Sequence, residues 1–94
     1  MEPLIINPKE ILQIIERKFN ISFQKSILDF QYDPVTHLFG IRFFKGGSVI
    51  SDSLDEEGQI VLNKEEKSGK IASLEILDLI YFFSEYSYKA STKK

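Results

Sequence analysis

His37 is the only histidine in the chain, and imidazole is the side chain most often used as a general base, so the segment Asp33-Pro34-Val35-Thr36-His37 is the first place to look for proton transfer. No partner for His37 is evident from the sequence, and it reads as a turn residue. The acidic group Asp52, Asp55, Glu56 and Glu57 has the oxygen ligands that Ca²⁺ or Mg²⁺ requires. It lacks the alternating acidic loop and the closing Glu of a dedicated calcium site, and reads as a solvated turn. Ser68-Gly69-Lys70 is a fragment of a phosphate loop, but the preceding glycine is missing and Ile71 stands where a metal-binding Ser or Thr belongs. Glu75 lies among apolar neighbours in Leu74-Glu75-Ile76-Leu77, where a period of two turns it to the opposite face from Leu74 and Ile76. Lys89, Lys93 and Lys94 with Tyr86 and Tyr88 combine charge with aromatic rings, the pairing that single-stranded nucleic acid binders use, but they read first as a solubilising tail.

Composition narrows the classes further. With 12 Lys and Arg against 14 Asp and Glu the formal charge is -2, which gives no general attraction to phosphate backbones or anionic lipid. There is no cysteine, so disulfides and thiolate metal or redox sites are excluded, and one His excludes a histidine-rich metal site. We expect no metal and no cofactor. Hydrophobic residues make up 43% and charged residues 28% of 94 positions, with eight Phe and four Tyr, which suits one small folded domain with an ample aromatic supply. The start, Met1 to Glu10, has no basic segment and too short an apolar run for a secretory signal. No apolar run approaches the roughly 18 to 20 residues of a membrane span. A cytoplasmic protein is expected.

The elements that must carry these residues centre on Ile27–Phe44. Leu28, Phe30 and Tyr32 alternate with polar residues before Asp33-Pro34, and Phe39, Ile41 and Phe43 alternate after it, which predicts a β-hairpin with one apolar face. Ahead of it, a short strand-like piece over Leu4 to Ile6 leads to a helix with Asn7 as N-cap, Pro8 at the first helical position and Asn20 at its end. Ile11, Ile14, Ile15 and Phe19 recur at helical spacing, and Ile6 and Ile11 suit a hydrophobic staple. Beyond the hairpin, strands are predicted over Ser48–Leu54, Ile60–Asn63 and Ile71–Leu77, separated by polar turns that end on Gly58 and Gly69. The last element is a helix capped by Asp78, with a Leu77–Phe82 staple and Leu79, Phe82, Phe83 and Tyr86 at i, i+3, i+4 and i+7.

From Ile27 to Leu77 the order of residues resembles the small-protein family catalogued as domain of unknown function 2283. The residues that carry the resemblance are Tyr32-Asp33-Pro34, Phe39, Ile41 and Phe43, then Glu57-Gly58 with Ile60, Val61 and Leu62, then Gly69 and Leu74-Glu75-Ile76-Leu77. His37 and Leu38 stand where the family has Asp and a small residue, and Gly40 where it has Tyr. The N-terminal helix is an addition. The resemblance implies a small β-rich fold with a C-terminal helix, no established activity, and a family in which some members are suspected partners of toxin-like proteins.

The expected architecture is α+β: an antiparallel β-meander of about five strands with an N-terminal and a C-terminal amphipathic helix. It forms a single domain over 1–94, divided into an N-terminal helical extension (1–26), the meander (27–77) and the C-terminal helix (78–90). The function expected is that of a noncatalytic protein-interaction module, a homodimer or the partner of another small protein. An antitoxin-like nucleic-acid-associated regulator and a small-ligand binder or enzyme are the alternatives. Neither membrane nor nucleic acid is expected as a partner. On the last helix Tyr81 and Tyr88, seven positions apart, fall opposite the apolar stripe and are the candidate interface residues.

Overall fold

The computed structural model describes residues 6–87. Helix α1 (Pro8–Phe19) begins where its capping chemistry places it: the Asn7 side chain accepts from the N–H of Lys9 and Glu10, satisfying two of the donors a helix start leaves over, and Pro8 occupies the first turn. It ends at Asn20, whose left-handed conformation (φ 58°) closes the last turn with an N–H bond to the Glu16 carbonyl. Ile11, Leu12, Ile14 and Ile15 are buried along one stripe. Ile6 packs partly against the core, whereas the rest of the strand-like piece expected at Leu4 lies outside the described residues.

Five antiparallel strands follow: β1 (Asp29–Tyr32), β2 (Phe39–Arg42), β3 (Val49–Ser53), β4 (Ile60–Glu65) and β5 (Ile71–Ile76). With one helix near each end of the chain, this is the expected α+β architecture. The strands lie in the order β1-β2-β5-β4-β3, so the β1–β2 hairpin and the β3–β4–β5 meander are joined edge to edge through β2 and β5. Consecutive pairing is therefore broken once, between β2 and β3. The reason is visible in the side chains. Strand β5 turns Ala72, Leu74 and Ile76 inward and takes the central place, flanked by Phe39 and Ile41 of β2 and by Ile60 and Leu62 of β4. Strand β3, with Ser51, Asp52 and Ser53, has little apolar surface to bury, and it stays at the far edge exposed along its whole length.

The β2–β3 link crosses the end of β5. The N–H groups of Phe43 and Phe44 donate to the Ala72 carbonyl (2.8 and 3.4 Å), and Gly46 passes so close above Ala72 that a Cβ there would lie 3.2 Å from the Ala72 Cβ. Glycine is what lets the chain cross at this height.

Helix α2 (Leu79–Phe82) is capped by Asp78, which accepts from the N–H of Ile80 and Tyr81, and continues as a π-helical segment over Phe83–Ser87. The expected stripe is in place: Leu79 and Phe82 are buried, and Phe83 and Tyr86 pack against the core. Leu77, expected to close a staple on Phe82, is an exposed residue instead. Both helices lie on the same face of the sheet, because one hydrophobic cluster unites α1 and α2 with the inward residues of β2, β4 and β5. No polar or charged residue among those described is buried. No helix among them is long and apolar enough to cross a membrane.

Candidate interaction surfaces

The helices cover the middle of the sheet and leave its margins open. By register, Phe30 lies opposite Ile41 and Tyr32 opposite Phe39, so the hairpin has the single apolar face that its alternation predicts. Yet Leu28 and Phe30 remain 51% and 47% exposed, in an open groove that Asn7, Pro8 and Lys9 at the start of α1 line from one side. At the other margin Val49 and Ile50 are 43% and 57% exposed.

His37 has a partner that the sequence did not reveal. The Tyr32 hydroxyl and His37 Nδ1 are 2.7 Å apart, brought together by the hairpin turn, in which His37 takes a left-handed conformation (φ 68°). Asp33 holds the same turn: its side chain accepts from the Val35 N–H, and this bond, ahead of one from Thr36, keeps its carboxyl below the ordinary value of 3.8. The His37 carbonyl accepts the N–H of Leu79 (2.9 Å), tying the turn to the start of α2. The side-chain pair closes the hairpin turn, and the backbone bond joins that turn to the helix. Beside it, a shallow depression of about 390 Å³ lies over Gly40, between Gln31 and Glu75, on the face away from the helices. Glu75 is outward, as its place in the alternation predicts, and register puts it next to Gly40 and Val61.

That outer face carries one polar row across all five strands. Asp29 and Arg42 form a two-pronged ion pair (2.9 and 2.5 Å), Arg42 pairs with Ser73 in register, Asn63 Nδ2 donates to the Ser73 hydroxyl (2.9 Å), and the Ser51 hydroxyl donates to Asn63 Oδ1 (2.5 Å). The side-chain hydrogen bond from Arg42 holds the Asp29 carboxyl below its ordinary value.

The acidic group does not converge. Asp55 closes its own turn by accepting the Ile60 N–H (2.9 Å), and its second oxygen is buried with no donor among the described residues. No three His, Cys, Asp or Glu side chains among the described residues are grouped as metal ligands. What this turn does is face α2. The phenols of Tyr81 and Tyr86 are raised above the ordinary 10.0, chiefly by desolvation, with added repulsion from Asp55, Glu57 and Glu85. Tyr81 is 37% exposed, on the outer side of the helix. Tyr88, its companion in the expected interface, lies outside the described residues, as do Lys89, Lys93 and Lys94. Tyr86 packs against Phe19 and Phe82 with the Lys18 ammonium 5.9 Å above its ring, so its body belongs to the α1–α2 contact. Ser68 and Gly69 form the β4–β5 turn: the Ser68 hydroxyl donates to Glu65 and accepts from the Lys70 N–H, and Gly69 takes φ 76°.

Compared with protein-family models, with curated proteins and with solved structures, the chain matches none.

Proposed function

We propose that this chain is a noncatalytic protein-interaction module, binding a second copy of itself or another small protein. The observation that supports this is the apolar surface left open at both margins of the sheet, Leu28 before β1 and Phe30 within it, and Val49 and Ile50 on β3. Edge strands of this kind offer unpaired backbone groups together with side-chain area, the combination used in strand addition. Tyr81 adds a rigid aromatic body with a polar tip on the outer side of α2, suited to a partner surface. A cytoplasmic setting and the absence of a cofactor are parts of the same reading.

The test is cross-linking in the native host combined with light scattering on the purified chain, comparing the wild type with a variant carrying Leu28→Ser, Phe30→Ser, Val49→Ser and Ile50→Ser. A wild-type complex that the variant loses is the expected result. A wild type that is monomeric at every concentration, and that cross-links to the same proteins as the variant, would sink the reading.

A further inference from the structure

The two margins are not equivalent. Strand β1 has four residues, carries the Asp29–Arg42 ion pair and runs into Pro34, and the Leu28 N–H donates to the Arg42 carbonyl, one residue out of the register that pairs Asp29 with Arg42. Short length, charge, proline and irregular pairing are the devices that blunt an edge. Strand β3 is one residue longer and has only one of them, the charge of Asp52. It is regular over Val49–Ser53, with no proline and no lysine.

The direction of its unpaired groups follows from hydrogen bonds at its two ends. The Glu66 N–H donates to Ser48 (2.9 Å) and the Leu54 N–H to Ile60 (2.7 Å), so residues 48 and 54 are both bonded toward β4. Bonded and non-bonded pairs alternate in an antiparallel ladder, so Ile50 and Asp52 are also bonded to β4, and the N–H and C=O of Val49, Ser51 and Ser53 point away from the sheet. They form a regular row of donors and acceptors with no partner among the described residues.

Resting on the interaction-module reading, we infer that the occupant of this edge is β3 of a second copy, antiparallel about a two-fold axis at Ser51. In that register Ser51 faces Ser51, Val49 faces Ser53, and every outward donor meets an outward acceptor. Side chains and charges agree. On the helix-bearing face, Ile50 is paired with Lys64 in its own chain, so Asp52 of the copy extends a row headed by Lys64 and lies against Ile50. On the outer face the polar row that ends on Ser51 continues into its counterpart without meeting a like charge. Moving the axis to Asp52 would set two carboxylates directly opposite, and moving it to Ile50 would leave Ser53 facing Gly47, outside the strand. The axis at Ser51 is the one that satisfies backbone and charge together. The contact is small, in the class of weak and transient interfaces below about 1,200 Å², so dimer forms at high protein concentration.

The chain has no cysteine, which makes the register directly readable. A residue facing itself across a bonded antiparallel pair has Cα atoms about 5.5 Å apart, within the roughly 4.4 to 6.8 Å that a disulfide spans. Under mild oxidation Ser51→Cys should cross-link to a covalent dimer. Val49→Cys and Ser53→Cys should each fail alone and cross-link when mixed. In light scattering, Ser51→Pro should lose the dimer while keeping the wild-type circular dichroism, since the Ser51 N–H serves no bond among the described residues, and Ser51→Ala should keep the dimer. Equal cross-linking of all three cysteine variants, or none, would overturn the inference. A dimer that survives Ser51→Pro would place the contact on another surface, defeating the β3 edge but sparing the interaction-module reading. A wild type without self-association at any concentration would defeat the inference and leave that reading to be decided by cross-linking to other proteins.

Discussion

Single side chains set the ends of the elements in this protein. Asn7 satisfies two N–H groups at the start of α1, and Asn7→Ala should cost about 1 kcal/mol, read as a lower urea midpoint with an unchanged slope. Asn20 ends the same helix at φ 58°, where a β-branched residue is strained. Asn20→Gly should leave stability within a few tenths of a kcal/mol, and Asn20→Val should lower it by about 1 to 2 kcal/mol in the same titration. Asn7 and Asn20 were both legible from sequence, because capping depends on neighbours two to four positions away. The Tyr32–His37 contact was not. The two stand five positions apart, and the left-handed backbone at His37 turns the ring back toward the phenol. Tyr32→Phe should cost about 1 kcal/mol through that one bond.

At the scale of elements, the periodicities placed both helices and all five strands to within a residue or two at most ends. The sequence contained no signal for the exchange of positions between β3 and β5. It results from competition: the strand with three inward apolar residues occupies the centre, and the serine-rich strand is left at the edge. The crossover that follows depends on Gly46. Gly46→Val should cost about 1 to 3 kcal/mol, because its side chain would be driven toward Ala72 and Val49, and thermal unfolding would show it as a lower midpoint. The last helix is the other departure. Its apolar stripe is as expected, but the turn widens to a π-helix from Phe83, which seats Tyr86 against both Phe19 and Phe82.

At the scale of the whole molecule, one core on one face of one sheet determines which substitutions matter. Leu74 is completely buried at the centre, and Leu74→Ala should cost about 2 to 5 kcal/mol, whereas Phe30→Ser at the open margin should stay within about 0.5 kcal/mol in the monomer. Charge sets the pH limits. Asp29 and Asp33 keep their charge below the ordinary 3.8, so the stability they contribute is complete above that value and is lost as pH falls through their lower folded values. Tyr81 and Tyr86 are raised above 10.0, so their contribution is complete below 10.0 and is lost as pH rises through the higher folded values. Urea midpoints measured against pH should therefore fall at both ends. Asp33→Asn should flatten the acid limb, and Tyr81→Phe the alkaline one.

The sequence by itself determined the α+β class, the helix caps, the turns and the inward faces of β1, β2 and β5, since each of these rests on residues within one or two turns of chain. It also foresaw the outward Glu75 and the exposed Tyr81. Only the tertiary structure decided that both helices share a face, that β5 is central, and that Leu28, Phe30, Val49 and Ile50 remain uncovered. Alternation tells which side of a strand is apolar, but not how far a helix packed tens of residues away will reach across it. Coverage is a property of the assembled layers, and in this protein the uncovered margins are where the functional proposal rests.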